Sequence, residues 1–120
     1  MAEPARSFQD LQVWQKAHEL VLELYRTTRG FPKEEIYVLT AQLRRAAISI
    51  PSNIAEGFHR RGTSDKLRFL NFAEASLEEV RYQLILSKDL GYLDSEEIFQ
   101  MLDSTGRLLG AYIRTIRSNR

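Results

Sequence analysis

"RRAAISIPSNIAEGFHRRGTSD", Arg44 to Asp65, carries a proline in the middle of what otherwise reads as helix. Proline lacks a backbone N–H and clashes with the preceding turn, so Pro51 forces a choice between a break and a bend. Ile36, Leu39, Leu43, Ala47, Ile50, Ile54 and Phe58 recur at three- and four-residue steps on both sides of it. Two independent helices would have no reason to share one phase. The spacing therefore predicts a single helix, bent at Pro51, where the Ala47 carbonyl loses its donor. The other reading is a true break, with Ser52 and Asn53 capping a new helix.

Working outward, the segment from about Asp10 to Arg29 places Val13, Ala17, Leu20, Leu24 and Thr28 on one face, with Leu11, Trp14 and Val21 widening the stripe. "RGFPKEE" ends it. Gly30 suits a left-handed cap, and Pro32 is expected to open the second helix, with Glu34 and Glu35 favouring its positive end. Gly57 and Gly62 are expected to loosen and end that helix, and "GTSD" to cap a third from about Ser64 to Leu90. Leu70, Ala73, Leu77, Val80 and Leu84 form its apolar stripe. Gly91 stops it, and Asp94 or Ser95 caps a fourth. That helix turns Ile98, Leu102, Thr105, Leu109, Tyr112 and Ile116 inward, broadened by Met101, Leu108 and Ile113.

Nothing alternates with the period of a strand, and no repeat or low-complexity tract is present. Four helices of similar length on short links imply an all-α, antiparallel up-down-up-down four-helix bundle. Residues 1–9 read as a flexible N-terminal segment and 10–118 as the bundle. A chain of 120 residues has room for one such domain. It has no cysteine, which excludes disulfides and thiolate chemistry. No run approaches the ~18 apolar residues of a membrane span, and "MAEPARSFQD" lacks the blocks of a secretory signal. A cytoplasmic protein without membrane attachment is the expectation.

Polar residues give two features. Arg45, Ser49, Asn53 and Glu56 form a second stripe on the second helix, rotated roughly 135° from the apolar one. Ser76 and Glu79 lie one turn apart on the third. These six residues could form a charge-assisted network near Pro51, or a plain solvated face. The bundle topology also gathers His59, Arg60, Arg61, Lys66, Arg68, Arg114, Arg117 and Arg120 at one end. Glu34, Glu35, Asp89, Asp94, Glu96 and Glu97 go to the other, diluted by Arg26, Arg29, Lys33 and Lys88. A net charge of only +1 thus hides a polarised molecule whose basic end could meet phosphates. The plainer reading is that such charges complement helix dipoles.

Catalytic signals are lacking. His18 and His59 sit on different helices without ligand spacing, and no paired Glu-x-x-His motif or phosphate-cradling glycine loop occurs. No serine has an assignable base and orienting acid. No enzyme, metal site or cofactor is expected.

"FQDLQVWQKA", "FPKEEIYVLTAQLRRAAISIPSNIAEG", "FLNFAEASLEEVRYQL" and "LGYL" together resemble a bacterial family of four-helix-bundle proteins. That family is named for open reading frames in intervening sequences of 23S rRNA genes. The resemblance runs from about Phe8 to Ile116. Ala75 and Val38 stand where members usually carry glycine, departures that touch packing. The resemblance implies a left-handed bundle assembling into rings, typically homopentamers, without demonstrated catalysis. It also implies kinship with the accessory protein of diversity-generating retroelements, which binds a reverse transcriptase and nucleic acid through basic surfaces. Recurrent polar positions of the family fall on Arg45, Ser49, Pro51, Asn53, Glu56, Gly57, Ser76 and Glu79. Membership does not establish RNA binding, because the name records gene location. Two functions compete: an oligomer holding RNA or DNA at its basic end, and an adaptor for a protein partner.

Overall fold

A computed structural model describes residues 4–119. Four α-helices follow one another: α1 Gln12–Thr28, α2 Leu39–His59, α3 Thr63–Asp89 and α4 Glu96–Ser118. Short 3-10 turns occupy Phe8–Asp10 and Lys33–Glu35, and no strand occurs among the described residues. Contact pairs run in opposite directions along each neighbouring pair. Thr28 meets Arg44 while Trp14 and Ala55 line one groove, Ser49 meets Ser76 while Arg45 meets Glu79, and Arg81 meets Asp103 while Lys88 meets Glu96. Each helix is therefore antiparallel to the next. With α1 and α4 also in contact, the four close into a bundle about 46 Å long.

The apolar stripes meet at the axis. Leu20, Leu24, Leu43, Ile50, Ile54, Leu70, Val80, Leu84, Ile98, Leu102 and Leu109 are essentially fully buried. At ~1.5–3 kcal/mol for each large side chain removed from water, this core is the main favourable term. Most buried hydroxyls are satisfied within their own helices, as where Thr28 donates to the Leu24 carbonyl, Ser87 to that of Gln83 and Thr105 to that of Met101, whereas the buried Thr40 hydroxyl has no partner.

α2 is continuous through Pro51, which is itself buried. The question of a break is settled by packing: Leu43, Ala47, Ile50 and Ile54 all have no exposed surface. One proline in a helix interior costs ~3 kcal/mol. Splitting the stripe would expose several side chains worth about half to all of that each.

Several local expectations fail, each for a visible reason. Gly30 is not left-handed, because α1 closes with short bonds from Gly30 N–H to Thr27 and from Phe31 N–H to Thr28. Pro32 does not open α2. It is extended (ψ 143°) and precedes the Lys33–Glu35 turn, so α2 starts at Leu39 and Ile36 lies on the surface, 48% exposed. Gly57 does not loosen α2 but lets α3 approach it. A Cβ there would lie 3.3 Å from the Lys66 carbonyl oxygen and 3.4 Å from Leu70. Regular structure also begins at Phe8, where the Arg6 and Ser7 N–H groups donate to the Asp10 carboxylate.

The "GTSD" stretch gives α3 no side-chain cap, since the residue before Thr63 is Gly62, but two other caps follow their sequence signals. Ser95 Oγ accepts from the Ile98 N–H at the start of α4. Gly91 is left-handed (φ +82°), with Tyr92 N–H bonded to the Ser87 carbonyl and Gly91 N–H to that of Lys88. That paired pattern closes α3, and glycine is the residue that adopts it without strain.

Two outcomes are expected. Gly57→Leu forces α2 and α3 apart and lowers stability by about 1–3 kcal/mol in urea unfolding. Burial raises the Tyr112 hydroxyl above the usual phenol range, so the folded chain favours its protonated form. That contribution is complete below pH ~10 and falls as pH rises through the folded value. Tyr92, raised chiefly by its hydrogen bond to Glu35, acts with the same sign. Tyr112→Phe should therefore blunt the alkaline loss of thermal stability.

Candidate nucleic-acid interface

The α2–α3 junction brings its cations together, and much of their charge is already used. Arg60 pairs with Glu56 at 3.1 Å and approaches Asp65 at 4.0 Å, and its guanidinium lies over the Phe69 ring at 4.5 Å. Arg68 pairs with Asp65 at 3.2 Å and lies 5.0 Å from the same ring. Lys66 turns back on α2, donating to the Phe58 carbonyl at 2.8 Å and that of Gly57 at 3.3 Å. It thus caps the C-terminus of α2, where a cation also suits the dipole. Arg44 does the same for α1, donating to Thr28 Oγ1 at 2.9 Å and to the Tyr25 carbonyl at 3.4 Å, over the Tyr25 ring.

Arg61, Arg114 and Arg117 are exposed and make no ion pair among the described residues. The antiparallel register of α3 and α4 brings Arg117 beside the start of α3, the same end as Arg61. Arg114 lies back along its own helix, its guanidinium close to Gly110. Arg120 lies outside the described residues. The basic end is thus a surface with three uncommitted guanidinium groups, flanked by two partly neutralised ones.

The polar stripe divides in three. Asn53 Nδ2 donates to the Ser49 carbonyl at 2.8 Å and to Ser49 Oγ at 2.9 Å, while Ser76 Oγ donates to Ser49 Oγ at 2.8 Å. One turn away Arg45 pairs with Glu79, flanked by Gln42 and Gln83. Glu56 belongs to neither group and faces Arg60. The serine–asparagine cluster bridges α2 and α3, the helix pair with the most extensive contact. The Arg45–Glu79 pair is half exposed and contributes at most about 1 kcal/mol.

A family model for the 23S rRNA-intervening sequence protein matches residues 9–111 of the chain. The chain belongs to that family. No curated protein matches it closely enough to count as a relative. In this family member the matched span covers α1 through most of α4, including Arg60, Arg61, Lys66 and Arg68, and ends just before Arg114.

Elsewhere the surface offers little chemistry. A cleft between α3 and α4 is lined by Glu74, Glu78, Arg81, Asp103 and Arg107. Its charges are largely consumed by Arg81, which bonds Asp103 at 2.8 Å and Glu78 at 3.3 Å. The Asp103 bond, first among these contacts, raises the Arg81 guanidinium above its already high range. Among the described residues no cluster of three or more His, Asp or Glu could hold a metal, and no helix is long and apolar enough to cross a membrane.

Sequence reasoning missed an apolar groove between α1 and α2, lined by Phe8, Trp14, Val21, Ile48, Pro51 and Ala55. Its signal was present: Ile48 is an apolar residue off the core stripe of α2, and it is 41% exposed.

The division of labour among the cations can be measured. Lys66→Met removes a cap and should lower stability by about 1–2 kcal/mol in urea unfolding. Arg61→Met should change it by less than about 0.5 kcal/mol.

Proposed function

We propose that this chain is a non-catalytic, cytoplasmic bundle that works as a ring of copies and holds nucleic acid at its basic end. The observation that carries this reading is the trio Arg61, Arg114 and Arg117. In a molecule where most other cations serve a carboxylate or a helix terminus, these are left for an external anion. Three contacts per copy are weak singly. A ring, as the sequence resemblance suggests, makes the later contacts intramolecular and multiplies them. The kinship with the retroelement accessory protein that the sequence resemblance implies points the same way.

Salt dependence is the decisive property. Phosphate contacts release counterions, so three per copy should weaken binding by roughly 20- to 40-fold for each copy engaged between 50 and 200 mM salt. Purified protein titrated against labelled single-stranded and duplex RNA should show that slope. Arg61→Glu with Arg117→Glu should abolish most of the affinity while the helical signal stays intact. Binding that ignores salt and both reversals, or no binding at low salt, rejects the proposal in favour of an adaptor for a protein.

A further inference from the structure

Ile36, Tyr37 and Val38 form a consecutive apolar run on the surface ahead of α2, 48%, 92% and 59% exposed. The turn beneath them is held in place. Tyr92 Oη donates to the Glu35 carboxylate at 3.0 Å, and the Val38 N–H donates to the Glu35 carbonyl. An aromatic side chain presented on a fixed turn loses little freedom when it is covered, which is how tyrosines come to anchor interfaces.

The same chain carries a hollow of matching character. The α1–α2 groove is open, about 290 Å³, and almost wholly apolar along Phe8, Trp14, Val21 and Ile48. Knob and groove lie apart: the groove begins about nine residues into α2 from the Tyr37 end, roughly 14 Å along the axis. They cannot meet within one chain. Charged groups at both places are already engaged: Glu35 accepts from Tyr92 beside the knob, and Glu56 pairs with Arg60 beyond the groove, so the match between them is one of apolar surface.

We infer that Tyr37 of one copy seats in the α1–α2 groove of a second copy of this chain. Such a contact is heterologous: each copy gives a knob and receives one, so repetition closes a ring if the rotation allows. The inference rests on the assembly proposed above and names its interface.

The test is light scattering on the full chain, on Tyr37→Lys, on Ile48→Glu, and on an equimolar mixture of the two variants. Both positions are exposed, so helical content measured by circular dichroism should be unchanged. The parent should be a multimer and each variant alone a 13.9 kDa monomer. The mixture should give twice that mass and no more, because the intact knob of one variant meets the intact groove of the other only once. A variant that keeps the parent mass overturns the inference and moves the contact elsewhere, for instance to exposed Phe72 and Tyr82 on α3. A mixture that stays monomeric overturns it too. A monomeric parent removes the assembly itself, whatever the RNA titration shows.

Discussion

The bundle depends on one stripe staying whole. Leu43, Ala47, Ile50 and Ile54 must all face the axis, and they can do so only if α2 runs through Pro51 in a single phase. The missing hydrogen bond at Ala47 is a local cost, whereas the stripe belongs to a core shared with the helices packed on either side, α1 and α3. Everything downstream follows from that rod. It delivers Gly57 to the point where α3 can approach, and it carries the 60–62 turn to the end of the molecule where α4 also finishes.

Cations do a second job in this fold. α1 and α2 are each closed by a base from the helix that follows: Arg44 reaches the last turn of α1, and Lys66 that of α2. α3 is closed instead by its own left-handed Gly91. Carbonyls at helix ends need donors, and in a tight antiparallel pair the opening two turns of the next helix are the nearest source. A cluster of basic residues at a junction is therefore partly architecture. Only what remains after capping and pairing is available to a ligand.

The sequence carried the core well because burial imposes a period. Val13, Ala17, Leu20 and Leu24, or Leu70, Ala73, Leu77, Val80 and Leu84, could be read off their spacing, and all are buried. Breakers were harder. Gly30, Pro32 and Gly57 are the same residue types that punctuate turns, but their roles here were set by neighbours distant in sequence or by backbone geometry at the turn. The site was the least legible. Lys66 and Arg61 look equivalent as letters, and only the fold shows that one is spent on α2 while the other is free. Family membership, shown over residues 9–111, agrees with the fold and adds no chemistry to that surface.

The order in which the helices pack also bears on how fast the chain finds its shape. α1 touches α2, α2 touches α3, and α3 touches α4, each across a short connection. Among the helix pairs, only the closure of α1 against α4 brings together residues far apart along the chain, joined by the smaller contact of Tyr92 with Phe31 and Glu35. Loop-closure entropy is therefore small for all but the last step, and folding belongs on the order of microseconds to milliseconds. The α2–α3 hairpin, the most extensive of these contacts, is the natural nucleus, and its glycine and serines would then govern speed as well as strength.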